Sequence, residues 1–117
     1  MAKPNVIAEK SEEFAVRVIN LSKYLIGEKK EYIISKQIFR SGTSIGANVS
    51  ESRNAQSKDD FINKLNIALK EADETAYWLR ILKRTEYISQ DQFSSLNEDV
   101  QELISILVSI IKTTKEK

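Results

Sequence analysis

Cysteine and histidine are both absent from this chain of 117 residues. The first absence excludes disulfides and thiolate metal sites. The second removes the commonest general base and the commonest metal ligand. One proline and three glycines are far too few for a protein of strands and tight turns, so composition predicts long helices. Long hydrophobic runs are missing as well. The longest nearly apolar stretch, Leu103 to Ile111, is nine residues broken by Ser105 and Ser109, against roughly twenty needed to span a bilayer. The opening MAKPNVIAEKSEEF lacks the apolar centre of a signal peptide. A soluble cytoplasmic protein without membrane association is expected. Charge of one sign is also lacking: 18 basic and 17 acidic residues leave +1. Such a balance argues against attraction of the whole surface to nucleic acid or anionic lipid and leaves only a local patch.

What is present is helical periodicity. The length suits one domain, 1–117, and the apolar spacing predicts helices at roughly 5–27, 30–52, 57–85 and 89–113. In the first, Phe14, Val18, Leu21 and Leu25 share a face, with Ala15, Ile19 and Ile26 widening it, and Gly27 with Glu28-Lys29-Lys30 reads as a stop and a charged turn. The third opens on Ser57-Lys58-Asp59-Asp60, a cap followed by acids that suit the helix dipole, and carries a seam narrowed by Ala68, Ala72 and Ala76. The fourth opens on the capping-box pattern Ser89-Gln90-Asp91-Gln92, and Phe93, Leu96, Val100, Leu103, Leu107 and Ile110 repeat every three or four residues. Four such helices with short links predict an all-α, antiparallel up-down-up-down four-helix bundle. The first and fourth helices show more apolar arc than a single seam requires. Association of copies would use it, the alternative being a thick monomer core.

The second helix, YIISKQIFRSGTSIGANVSESR from Tyr32 to Arg53, differs from the others. Ile34, Ile38, Ile45 and Val49 point one way, flanked on one side by Gln37, Ser41, Ser44, Asn48 and Glu51 and on the other by Gly42 and Gly46. A glycine inside a helix costs about 1 kcal/mol relative to alanine, so two of them imply close approach by a neighbouring helix. The alternative is a local break between two shorter helices.

The run Arg40-Ser41-Gly42-Thr43-Ser44-Ile45-Gly46-Ala47-Asn48-Val49-Ser50-Glu51 resembles the signature of the 23S rRNA intervening-sequence protein family, also called the four-helix bundle protein family. Tyr32 and Gln37 before it, and Phe61, Leu65, Ala68, Glu71, Glu74, Trp78 and Leu79 after it, extend the likeness, while Ser52 stands where many relatives carry glycine. The resemblance implies an antiparallel bundle that assembles into a homopentamer, of bacterial origin. It implies genes often lying within an intervening segment of the large ribosomal RNA gene, a location that establishes no activity. The accessory proteins of diversity-generating retroelements look similar in fold and assembly and are basic nucleic-acid binders, a character this chain lacks at +1.

Two residue sets are candidates for function. Gln37, Arg40, Ser41, Ser44, Ile45, Ala47, Asn48 and Glu51 form the motif, whose polar members suit interhelical hydrogen bonds that set register, with Glu51 in need of a cationic or amide partner. Lys36 and Arg40 on the outward face, with Arg80, Lys83 and Arg84 near Tyr77, Trp78 and Tyr87, form the candidate nucleic-acid set. Arginine beside aromatic rings suits single-stranded RNA, whereas a solvated face with dipole compensation explains the same charges without a ligand. An enzyme is not expected: a carboxylate-bridged di-iron bundle needs Glu-x-x-His motifs, and a serine nucleophile has no histidine base here. No metal or cofactor is expected. The reading is a non-enzymatic, RNA-associated homo-oligomer, with a protein-interaction scaffold as the alternative.

Overall fold

The computed structural model describes residues 2–117, with side chains from residue 6 onward. Four helices follow in order, α1 (Ala2–Gly27), α2 (Ile34–Ser52), α3 (Lys58–Arg84) and α4 (Gln90–Lys115), with no strand among the described residues. They pack into an elongated bundle of 47 × 21 × 20 Å. Each helix packs on the next in sequence, and α1 closes on α4, the lightest of the four contacts.

The seams predicted from spacing are the seams that are buried. Phe14, Val18, Leu21 and Leu25 of α1 meet Ile38, Ile45 and Val49 of α2, Leu65, Leu79 and Leu82 of α3, and Val100, Leu103 and Leu107 of α4 in one core. The alanines of α3 are buried too, which lets neighbouring helices come close. Ser57 caps α3 by accepting from the Asp60 amide at 3.0 Å. Ser89 and Gln92 complete the capping box of α4 at 3.1 and 2.7 Å. At the other end of α3, the Tyr87 amide bonds the Leu82 carbonyl and the Glu86 amide the Lys83 carbonyl, at 2.9 and 3.0 Å. This is a Schellman stop, with Glu86 in the left-handed position at φ 67°.

The second helix is unbroken, so the two-helix alternative does not hold. Its glycines sit where α1 comes nearest. A Cβ at Gly42 would lie 2.7 and 2.8 Å from the Val18 methyls, and one at Gly46 would lie 3.3 Å from the Ser11 carbonyl oxygen.

α2 begins at Ile34 rather than near residue 30, and the reason is Glu31. Its side chain turns back over the helix start and accepts from the amides of Ile33, Ile34 and Ser35 at 3.1, 2.9 and 2.7 Å. Amides that open a helix have no partner within it, and a carboxylate there also suits the dipole. Glu31 is only 7% exposed. The Ser35 hydroxyl donates to the Glu31 carbonyl at 2.8 Å, and that of Ser22 donates to the Ser35 carbonyl at 3.2 Å, which ties the cap to α1. Gly27 does not supply the turn's left-handed residue; Lys30 does, at φ 55°.

Surplus apolar surface is exposed on α1 as the periodicity suggests, Ile26 included, but hardly on α4. Ile104, Ile106 and Ile110 of α4 pack against the core. Val16 and Ile26 of α1, Tyr32 and Ile33 of the first loop and Phe39 of α2 are exposed, with only Val108 exposed on α4.

Candidate functional site

The motif residues divide between the helix's own backbone and the facing helix. Thr43, Ser44 and Asn48 bond carbonyls one turn earlier on α2, to Phe39, Arg40 and Ser44 at 2.7, 2.7 and 2.9 Å. Ser52 does the same to Val49 at 2.6 Å. Register between α2 and α3 is carried by other members. Buried Ser41 accepts from the Thr75 hydroxyl at 2.9 Å, and Glu51 finds the cation it needs in Lys64 at 3.0 Å. Ile45 is wholly buried, Gln37 is half-buried on the flank, and Ala47 is exposed.

Arg40 belongs to this structural set. Its guanidinium lies 2.6 Å from Glu74 and 3.5 Å from Glu71. The same Glu74 oxygen accepts from the Trp78 indole N–H at 3.0 Å. That bond, with the Arg40 contact, holds the Glu74 carboxyl below its ordinary range against the opposing effect of burial, and Glu74 in turn raises the Arg40 guanidinium. The buried Glu71 Oε1 accepts no hydrogen bond and has Arg40 as its ion-pair neighbour. Arg40 therefore spans two acids of α3 and is not a free cation, whereas Lys36, one turn earlier, is exposed.

The remaining candidates of the basic set, Arg80, Lys83 and Arg84, stand together on the last turns of α3. Arg80 and Arg84 are exposed on the last turns of α3. Arg80 sits 5.9 Å from the centre of the Tyr77 ring, which meets Trp78 edge-on at 5.0 Å. The Lys83 ammonium lies 4.8 Å over Phe93. A cavity of about 480 Å³ joins this end of α3 to the first loop: Lys83, Tyr87 and Glu86 line one side, Tyr24 and Lys29 the other. Lys29 lies 5.9 Å from the Tyr24 ring. Tyr24 and Lys29 are the residues that sequence reading missed. Lys29 reads in sequence as one charge of a polar turn, and only the tertiary fold sets it on the same cavity as Lys83.

Such an arrangement offers ammonium and guanidinium groups beside aromatic faces, the pairing that suits phosphate and stacked bases. Among the described residues no group of three His, Cys, Asp or Glu side chains could hold a metal ion, and no helix is long and apolar enough to cross a membrane.

The 23S rRNA-intervening sequence protein family model matches residues 3–109. A solved structure from Bacteroides thetaiotaomicron VPI-5482, described as a protein with unknown function from the S23 ribosomal protein family, superposes with a TM-score of 0.93. It is 62% identical over 94% of this chain and 98% of that one. No curated protein matches. A match over nearly the whole length means that the chain belongs to the 23S rRNA-intervening sequence protein family.

Proposed function

We propose that this chain is a non-enzymatic binding module of the cytoplasm that assembles as a homopentamer and binds single-stranded RNA at its basic, aromatic end. The observation that carries the reading is the cavity that joins Lys29 and Tyr24 to Lys83 and Tyr87. Two chain segments far apart in sequence contribute a cation and a ring each to one concave surface. Arg80 and Arg84 stand on the same last turns of α3 as Lys83, on a chain whose charge is otherwise balanced.

An antiparallel order is supported by the interhelical pairs. Ser41 pairs with Thr75 and Glu51 with Lys64, while Lys10 pairs with Glu102 and Arg17 with Asp99. In both sets the partner's number falls as the residue number rises. Assembly is supported by Val16, Ile26, Ile33 and Phe39, large apolar side chains left in solvent. Five copies would present five modest patches and gain affinity by multivalency.

The test is fluorescence anisotropy with labelled single-stranded RNA across a salt series, after light scattering has fixed the oligomeric mass. Binding should weaken log-linearly with salt and be lost in a Lys29→Glu/Lys83→Glu variant. Absence of binding at low salt would overturn the RNA reading and leave the protein-interaction scaffold, to be sought through the apolar faces.

A further inference from the structure

The end of the bundle bounded by the 53–57 loop holds a second cavity, of about 550 Å³, to which all four helices contribute. That size lies within the range of small-molecule sites. Its floor is core: Ile7, Val49 and Leu65 are each at most 3% exposed. Phe61 and Ile110, half-buried, form apolar walls. The mouth is of another character. Ser57, Ser109 and Thr113 bring hydroxyls, that of Thr114 being already donated to the Ile110 carbonyl at 2.7 Å, while Arg53 and Lys117 bring positive charge, and no carboxylate side chain is among the lining residues described. This last feature distinguishes it from the cavity at the opposite end, which includes Glu86.

Hydroxyl chemistry at the mouth favours an acceptor. Ser57 uses its oxygen to receive the Asp60 amide, so its own proton remains available to donate. A lining of apolar floor, donor-bearing rim and cationic edge is complementary to a molecule with a hydrocarbon body and one anionic head.

We propose that this cavity binds a small apolar monocarboxylate, with its hydrocarbon against Phe61 and Ile110 above the buried floor and its carboxylate at the mouth among Ser57, Thr113 and Lys117. The site is separate from the basic, aromatic end, so RNA binding and carboxylate binding stand or fall independently.

The probes are sodium hexanoate, octanoate and decanoate below their aggregation thresholds, with 1-decanol as the uncharged control, titrated into the full-length protein and followed by amide chemical shifts. Shifts should concentrate at residues around 49–65 and 107–117. Affinity should rise roughly fourfold per added methylene that fits, the factor corresponding to the transfer of one CH₂ out of water. Thr113→Trp, a change at an exposed mouth position, should abolish binding with the fold intact. Lys117→Glu should weaken decanoate several-fold and leave decanol unchanged.

Four outcomes overturn the proposal. One is no saturable shift with any acid. Another is shifts spread over the exposed apolar surface and indifferent to Thr113→Trp, which marks non-specific adsorption. The third is a loss of oligomeric mass in Thr113→Trp, which assigns the cavity to contact between copies. Equal affinity for decanol and decanoate removes the anionic head from the assignment and so refutes the ligand class.

Discussion

Val18 of α1 occupies the space that a side chain at position 42 of α2 would need: a Cβ there would fall 2.7 Å from Val18 Cγ2 and 2.8 Å from Cγ1. Val18 is 1% exposed and β-branched, so it has little freedom to turn aside. We predict that Gly42→Ala destabilises the protein by about 1–2 kcal/mol, overpacking outweighing the gain in helix propensity. In a Val18→Ala background the same change should become neutral or stabilising. Urea denaturation of the four proteins measures the coupling; simple additivity would remove the close-approach explanation. Gly46→Ala should cost less, because its nearest neighbour, the Ser11 carbonyl oxygen, lies at 3.3 Å and needs only a small shift.

Glu31 is the second prediction. Its carboxylate serves three amides at the head of α2 while nearly inaccessible to solvent. Glu31→Ala leaves those donors without an acceptor and should cost about 1–3 kcal/mol. Gln retains one acceptor oxygen and should recover part of the loss. Denaturation midpoints for both variants check this, and an alanine variant as stable as wild type would show that water satisfies the amides equally well.

Glu74 gives a pH dependence with a definite sign. Its folded pKa is depressed, first by the Trp78 hydrogen bond and then by Arg40. The pair therefore stabilises the fold above the unfolded carboxylate value of about 4.3, and that contribution is lost as pH falls through the lower folded value. Glu74→Gln should cost about 1 kcal/mol at pH 7, a modest figure because the pair is partly exposed. The gap from wild type should close towards pH 3. Urea midpoints at pH 7, 5 and 3 test it; a constant gap would mean that charge at Glu74 does not contribute.

The basic residues should separate into two classes. Arg40→Glu places a third acid beside Glu71 and Glu74 and should lower stability, contrary to the outward-facing role that the helical wheel suggests. Lys36→Glu should leave stability unchanged. Charge reversal at Lys29, Arg80, Lys83 or Arg84 should preserve folding and, if phosphate contacts are made, reduce the salt slope of RNA binding by about 0.7 per contact removed. Parallel thermal melts and anisotropy titrations distinguish the classes.

Helix existence, the buried seams, both serine caps and the paired glycines were legible because each rests on residues within a turn or two of one another. The Phe14–Leu25 stripe and the Ser89–Gln92 box need no tertiary information. Glu31 escaped because its capping reach depends on the chain doubling back at Lys30, a left-handed residue where glycine or asparagine would be the usual signal. Arg40 was ambiguous for a different reason. Its wheel position is outward, yet its long side chain reaches sideways to α3, and direction along a helix does not fix where an arginine head ends. That Lys29 and Lys83 line one cavity is purely tertiary, and no periodicity encodes it.

The light contact between α1 and α4 has a kinetic consequence. These are the first and last helices, so their meeting closes the longest loop in the chain, the step with the greatest entropic cost and the least contact to offset it. The seam is bridged by Arg17 reaching Asp99 and Ser95, beside a cavity of about 330 Å³ that Leu21 and Leu96 line. A chain without cysteine makes a clean background for thiol probes. Cysteine at Leu96 should react with a maleimide much faster than cysteine at Ile45, with little dependence on global stability, because transient parting of α1 from α4 exposes the first and only wider unfolding exposes the second. The bundle would then breathe along one edge, and small molecules would enter the core there without any helix unwinding.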